Sequence, residues 1–155
     1  MTNSKKNDLS EKAYVFGSIF TLANKLQSIG DKFDSNLTVK QWLLLAGIVK
    51  SGSDSPTISE VAGLIENSRQ NVKKMIVILE KEGFVTIKKD SKDARALRIS
   101  LTKKCRDYLQ QREPKEVEFL LRLFDGFDSA GMEALVKGLS KLEKNIDRME
   151  RIIQS

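Results

Sequence analysis

The hydrophobic spacing of this chain changes period twice, and that change restricts the fold more than any other feature. Before Gly83, apolar residues recur every three or four positions, the mark of amphipathic helices. From Phe84 to Lys89 and from Ala96 to Leu101 they alternate every second residue, the mark of strands. After Thr102 the helical spacing returns. The pattern predicts a mainly α chain carrying one small β-hairpin, whose strands are joined by the charged loop Asp90 to Arg95.

The first helical stretch runs from Leu9 to Ile29, behind a polar segment, 1–8, expected to be a loose tail. Val15, Ile19, Leu22, Leu26 and Ile29 form one stripe; Tyr14, Phe16, Phe20 and Ala23 add a second. A first helix apolar on two sides needs a second partner, such as another copy of the chain. The last helix, Ser129 to Ile153, has Met132, Leu135, Leu139, Leu142, Ile146, Met149 and Ile153 in alternating steps of three and four, a heptad-like seam. In the helix before it, Pro114 removes an N–H and crowds the preceding turn, which predicts a kink or a restart.

Between these ends lie three local start signals. Thr38 with Gln41, and Thr57 with Glu60, have the spacing of capping boxes, and Ser68 can cap the next helix. That helix reaches Glu82 and stops on Gly83, a favoured residue just past a helix end. Helix, short helix, turn, helix, hairpin is the layout of a winged helix-turn-helix.

The helix after Ser68 carries the chemistry. Val72, Met75, Ile76 and Leu79 share an inward face, while Gln70, Lys74, Val77 and Lys81 point away from it, flanked by Asn71 and Lys73. Amide and cationic side chains near a helix N-terminus suit reading of a DNA major groove. Gln70 or Asn71 can bond adenine, and Arg69 or Lys73 can take guanine or phosphate. At the hairpin tip, Lys92, Asp93 and Arg95 crowd one loop, and an Arg there can enter a narrow minor groove. Residues 57–104 hold eleven Lys or Arg against six Asp or Glu, whereas 113–155 hold seven against nine. The net charge of +6 is therefore concentrated where a polyanion would be read.

Composition also excludes. With no His, catalysis through a histidine base and His-ligated metal sites are unavailable, and one Cys forbids an internal disulfide or a multi-Cys metal cluster. No metal and no cofactor is expected, and no enzyme. The N-terminus lacks the apolar core of a signal peptide, and the longest apolar run, Trp42 to Val49, is too short to cross a bilayer. A cytoplasmic protein without membrane partners is expected.

Motif order resembles one family, the MarR-type bacterial transcriptional regulators, over nearly the whole chain. The resemblance rests on Ser59-Glu60-Val61-Ala62, Ser68-Arg69-Gln70-Asn71-Val72 and Leu79-Glu80-Lys81-Glu82-Gly83-Phe84-Val85. Its most specific piece is Asp90-Ser91-Lys92-Asp93-Ala94-Arg95, followed by Ile99-Ser100-Leu101-Thr102. The stretch from Gly126 to Ile146 is similar to the family's last helix. Such similarity implies a single domain, 1–155. Helices in 9–36 and 103–153 would intertwine with those of a second copy, and 37–102 would form the DNA-binding unit. It implies a homodimer acting on double-stranded DNA at a pseudo-palindromic operator, as a repressor first and an activator second. Thr57, Ser59, Ser68, Arg69, Gln70, Asn71, Lys73, Lys74, Lys92, Asp93 and Arg95 would form the DNA-binding set. Arg95 would be the minor-groove residue and Asp93 its orienting partner. Two departures stand out: Lys92 replaces a frequent Arg, and Cys105 a usual Gly.

The resemblance also implies a small-molecule effector between the dimerisation helices and the reading unit. Phe16, Phe20, Phe33 and Trp42 are candidate lining residues, with ordinary packing as the competing role. Cys105, at the third position of a helix capped by Thr102 and beside Lys103, Lys104 and Arg106, has a local setting that lowers a thiol pKa. An oxidant-sensing regulator is therefore one alternative, although family oxidant sensors usually carry their cysteine in the first helix. A winged-helix module that holds a protein partner is the other.

Overall fold

The computed structural model describes residues 3–93 and 95–153. Ala94, in the hairpin loop, and residues 1 and 2, in the expected tail, lie outside the described residues. The order is α1 (Asn3–Phe33), α2 (Val39–Lys50), α3 (Ile58–Leu64), α4 (Arg69–Lys81), β1 (Val85–Lys89), β2 (Leu97–Leu101), α5 (Lys103–Leu123) and α6 (Ser129–Ile153). The chain divides into two compact units, one ending at Tyr108 and one beginning at Leu109.

Two sequence expectations are corrected. The helix expected from Leu9 already includes residues 3–8, because nothing in that stretch breaks it; Lys12 pairs with Asp8 at 2.6 Å one turn earlier. It also runs on past Ile29 to Phe33. Of the two outcomes expected at Pro114, a kink or a restart, the restart does not occur: α5 continues through it. The carbonyl of Gln110 loses its N–H partner there, and Gln110 is exposed, so water can satisfy it.

The core of the first unit is built by α2, α3, α4 and the hairpin. Leu44, Leu45, Val61, Val72, Ile76, Leu79 and Ile99 are fully buried, joined by Leu37, Ile48, Phe84, Val85 and Cys105. Both anticipated capping boxes close, at Thr38–Gln41 and Thr57–Glu60, and Ser68 accepts from the Asn71 N–H at 3.2 Å. Asp31 accepts from the Val39 N–H at 2.8 Å, tying the end of α1 to the start of α2. α4 ends on Gly83 with φ 77°, a left-handed position that favours glycine, and the Phe84 N–H reaches back to the Leu79 carbonyl at 2.8 Å.

β1 and β2 pair antiparallel, with Val85 opposite Leu101, Ile87 opposite Ile99 and Lys88 opposite Arg98. A short third edge is added by the loop before α3: Thr57 bridges Arg98, and the Ile99 N–H donates to the Pro56 carbonyl at 2.9 Å. The hairpin is thereby fastened to the first turn of α3.

The second unit comprises the rest of α5 with α6. An open apolar cleft of about 870 Å³ lies between Val117, Leu120, Phe124 and Phe127 on one side and Met132 and Val136 on the other. No helix among the described residues is long and apolar enough to cross a membrane.

Candidate nucleic-acid interface

The starts of α3 and α4 and the foot of the hairpin meet around a cleft of about 260 Å³. It is lined by Thr57, Ile58 and Ser59 from α3 and its cap, by Arg69, Gln70 and Lys73 from α4, and by Arg95, Ala96 and Leu97. The lining carries three cations and no carboxylate. Six residues expected to bind DNA are thus brought together: Thr57, Ser59, Arg69, Gln70, Lys73 and Arg95. Ser68, Asn71, Lys74, Lys92 and Asp93 are exposed but do not line the cleft.

Local hydrogen bonds sort these residues into free and committed groups. The Thr57 hydroxyl accepts from the Glu60 N–H at 3.2 Å and donates to the Glu60 carboxylate at 2.9 Å. The Thr57 N–H and hydroxyl hold the Glu60 carboxyl below its ordinary pKa. Thr57 therefore serves the helix start. The Asn71 amide donates to the Asn67 side chain at 3.2 Å, which engages one of its two N–H groups and restrains its rotamer. Gln70 makes no side-chain hydrogen bond among the described residues and is exposed. Of the two amides, it is the one ready to read a base.

The hairpin loop is ordered from within. One oxygen of Asp90 accepts the N–H groups of Lys92 and Asp93 at 2.7 and 2.9 Å, and the other accepts from Arg98 Nε. These backbone N–H groups, then the Arg98 side chain, depress the Asp90 carboxyl to a pKa of about 2. Asp93 accepts from the Arg95 N–H at 2.9 Å, so it holds Arg95 through the backbone rather than through the guanidinium. No side-chain ion pair between Asp93 and Arg95 is formed among the described residues. Asp90 and Arg98, the pair that is formed, were not among the sequence candidates. One signal was available: Lys88 and Arg98 face each other across the hairpin, and like charges directly opposite need a counter-ion.

The other candidates fare differently. Cys105 is fully buried and its N–H caps onto Thr102 Oγ1 at 3.1 Å, as the sequence implied. Burial nevertheless pushes its thiol up to about 11, against a smaller opposite pull from Arg106, which overturns the expected lowered pKa. Phe16 and Phe20 stack edge to face at 5.1 Å but stand 66% and 59% exposed. Phe33 lies 17 residues beyond Phe16 on the same helix, about 25 Å at 1.5 Å per residue, so these rings do not line one small pocket within a protomer. Among the described residues, no group of three His, Cys, Asp or Glu side chains is placed to hold a metal ion.

No family model matches the sequence. Among curated proteins, the transcriptional repressor MprA of Escherichia coli is 25% identical over 115 residues, 73% of this chain, which spans only 65% of the length of that relative. Among solved structures, a MarR protein from Peptoclostridium difficile superposes with TM-score 0.78 at 23% identity, covering 87% of this chain and 88% of that one. Sco3205, a MarR family transcriptional regulator from Streptomyces coelicolor solved in complex with DNA, gives 0.76 at 19% identity, covering 88% of each chain.

Proposed function

From the premise that this chain has the fold of the MarR-family regulators, we propose that it is a homodimeric, sequence-specific DNA-binding regulator of transcription. It acts on a pseudo-palindromic operator in the cytoplasm and represses by occupying it. The observation that carries this reading is the cleft where Arg69, Gln70, Lys73 and Arg95 converge from two helices and the hairpin. A polyanionic backbone fits a carboxylate-free cleft with three cations, and a free amide beside it is placed for a base edge. α4 then occupies the major groove and the hairpin reaches the adjoining minor groove.

The dimer is supported by the face that α6 leaves open. Leu135, Leu139, Leu142, Ile146, Met149 and Ile153 are 36% to 81% exposed, and Tyr14, Phe16 and Phe20 of α1 are 59% to 76% exposed. Apolar surface on this scale calls for a covering partner, and a second copy supplies one with matching heptad steps. A small-molecule effector belongs to this proposal only as a ligand of the assembled dimer, since Phe16, Phe20 and Phe33 are spread along α1 of the protomer while Trp42 lies on α2.

The test is binding to duplexes that the protein itself selects from a randomised library, followed by a salt titration. Affinity should fall with a slope of about −0.9 for each phosphate neutralised. Failure to enrich any duplex in dilute buffer, together with a stable dimer, would favour the protein-partner alternative.

A further inference from the structure

Arg98 occupies a position that neither charge counting nor the reading face explains. Its Nη1 donates to the Ser55 carbonyl at 2.7 Å, in the loop leading to α3, while its Nε is bound by Asp90 at the start of the hairpin loop. The backbone on either side repeats the connection, through the Thr57 bridge and the Ile99 to Pro56 hydrogen bond. The Asp90 side chain is only 7% exposed, so this ion pair is shielded on the carboxylate side. The other oxygen of Asp90 gathers the Lys92 and Asp93 N–H groups, two and three residues on, and Asp93 in turn fixes the Arg95 N–H. A continuous chain of hydrogen bonds therefore runs from the segment capping α3, through Arg98 and Asp90, to the residue that closes the cationic cleft.

We infer that Arg98 and Asp90 are positioning residues for DNA binding: they lock the hairpin to the start of α3 so that Arg95 meets the duplex in register with α4. Neither side chain needs to touch DNA for this. The inference rests on the proposed DNA-binding function and names how its two contact elements are kept at a fixed spacing. It depends on the fork of Arg98, which reaches two acceptors in two segments at once; a lysine of the same charge has no such fork.

The experiment compares the wild-type dimer with Arg95→Ala, Arg98→Lys, Asp90→Asn and the Arg95→Ala/Arg98→Lys double variant. The probe is the duplex that the wild-type protein selects from a randomised library. Arg98→Lys keeps the net charge, yet should weaken binding about tenfold and flatten the salt slope by about one unit, as Arg95→Ala does. The double variant should be no weaker than Arg95→Ala alone. Asp90→Asn keeps the acceptor for the Lys92 and Asp93 N–H groups and removes a negative charge from the DNA-facing loop. Charge alone would tighten binding; loss of positioning weakens it. A general loss of folded protein would lower the active fraction without changing the salt slope. Additive effects in the double variant, an unchanged slope for Arg98→Lys, or tighter binding by Asp90→Asn would overturn the inference. An Arg95→Ala variant that binds like the wild type would instead overturn the reading of the hairpin on which it rests.

Discussion

Single side chains in this protein are decided by competition between local and tertiary effects, and Cys105 shows which wins. The helix start and neighbouring cations favour a thiolate, but complete burial removes the water that a thiolate needs. The signs follow. A thiol raised from 9.0 to about 11 stays protonated near neutrality, and the unfolded chain ionises first on raising the pH. Stability assisted by this group is therefore complete below pH 9 and is lost as the pH rises toward 11. At neutral pH, a thiol-disulfide reagent should label the native protein far more slowly than the unfolded chain, and peroxide should leave DNA affinity unchanged. Rapid labelling of the native state would contradict the burial argument. The two amides of α4 separate on similar grounds. Asn71 is held by Asn67, whereas Gln70 has no side-chain hydrogen bond among the described residues, so Gln70→Ala should erase preference at one base position, worth about 1–3 kcal/mol. Asn71→Ala should change specificity less. Competition between the variants on single-base operator substitutions measures both. Sequence alone ranked the amides equally, since Asn67 reaches Asn71 only once the turn before α4 has closed.

At the level of helices and strands, what could be read in advance was what is encoded over three or four residues. Thr38, Thr57 and Ser68 cap their helices because the acceptor and its N–H lie within one turn. The hairpin was legible because Val85, Ile87 and Ile99 alternate with polar residues and dock inward. The ends of α1 were not: no Pro or Gly marks its start, the helix runs on through Gly30 to Phe33, and helical continuation costs little once a turn exists. Close packing between elements was also hidden. Gly30, buried at the end of α1, would place an added methyl 2.2 Å from a methyl of Val39 on α2, leaving room for hydrogen only. Gly30→Ala should cost about 1–3 kcal/mol, despite the better helix propensity of Ala. Equilibrium denaturation checks it: a neutral or stabilised variant would mean that α1 and α2 can separate freely there. Gly17, on the same helix with nothing within 4 Å of an added methyl, is the control, and Gly17→Ala should be neutral or slightly stabilising.

For the whole molecule, the proposed function makes oligomeric state and DNA affinity one quantity. Leu142 and Ile146 sit one turn apart on the α6 seam, 38% and 56% exposed in the protomer, and no residue of α6 is buried. In the proposed dimer the partner covers this stripe, because an apolar face left in water contributes nothing to the fold. Replacing Leu142 and Ile146 together by Glu sets uncompensated charge into the seam, and the dimer should dissociate. The core of the first unit lies in α2 to α4 and the hairpin, so each proposed DNA-reading unit should keep its fold. The consequence for DNA is then arithmetic. Two linked reading units gain from the effective concentration of the second half-site, and their separation removes that gain, about 10²–10⁴-fold in affinity. The salt slope should fall to about half, because each monomer neutralises half the phosphates. Sedimentation fixes the state, circular dichroism the fold, and anisotropy titrations at several salt concentrations the slope. A folded monomer that keeps wild-type affinity and slope would show that pairing does not serve recognition. A variant that remains dimeric would move the interface off the α6 seam.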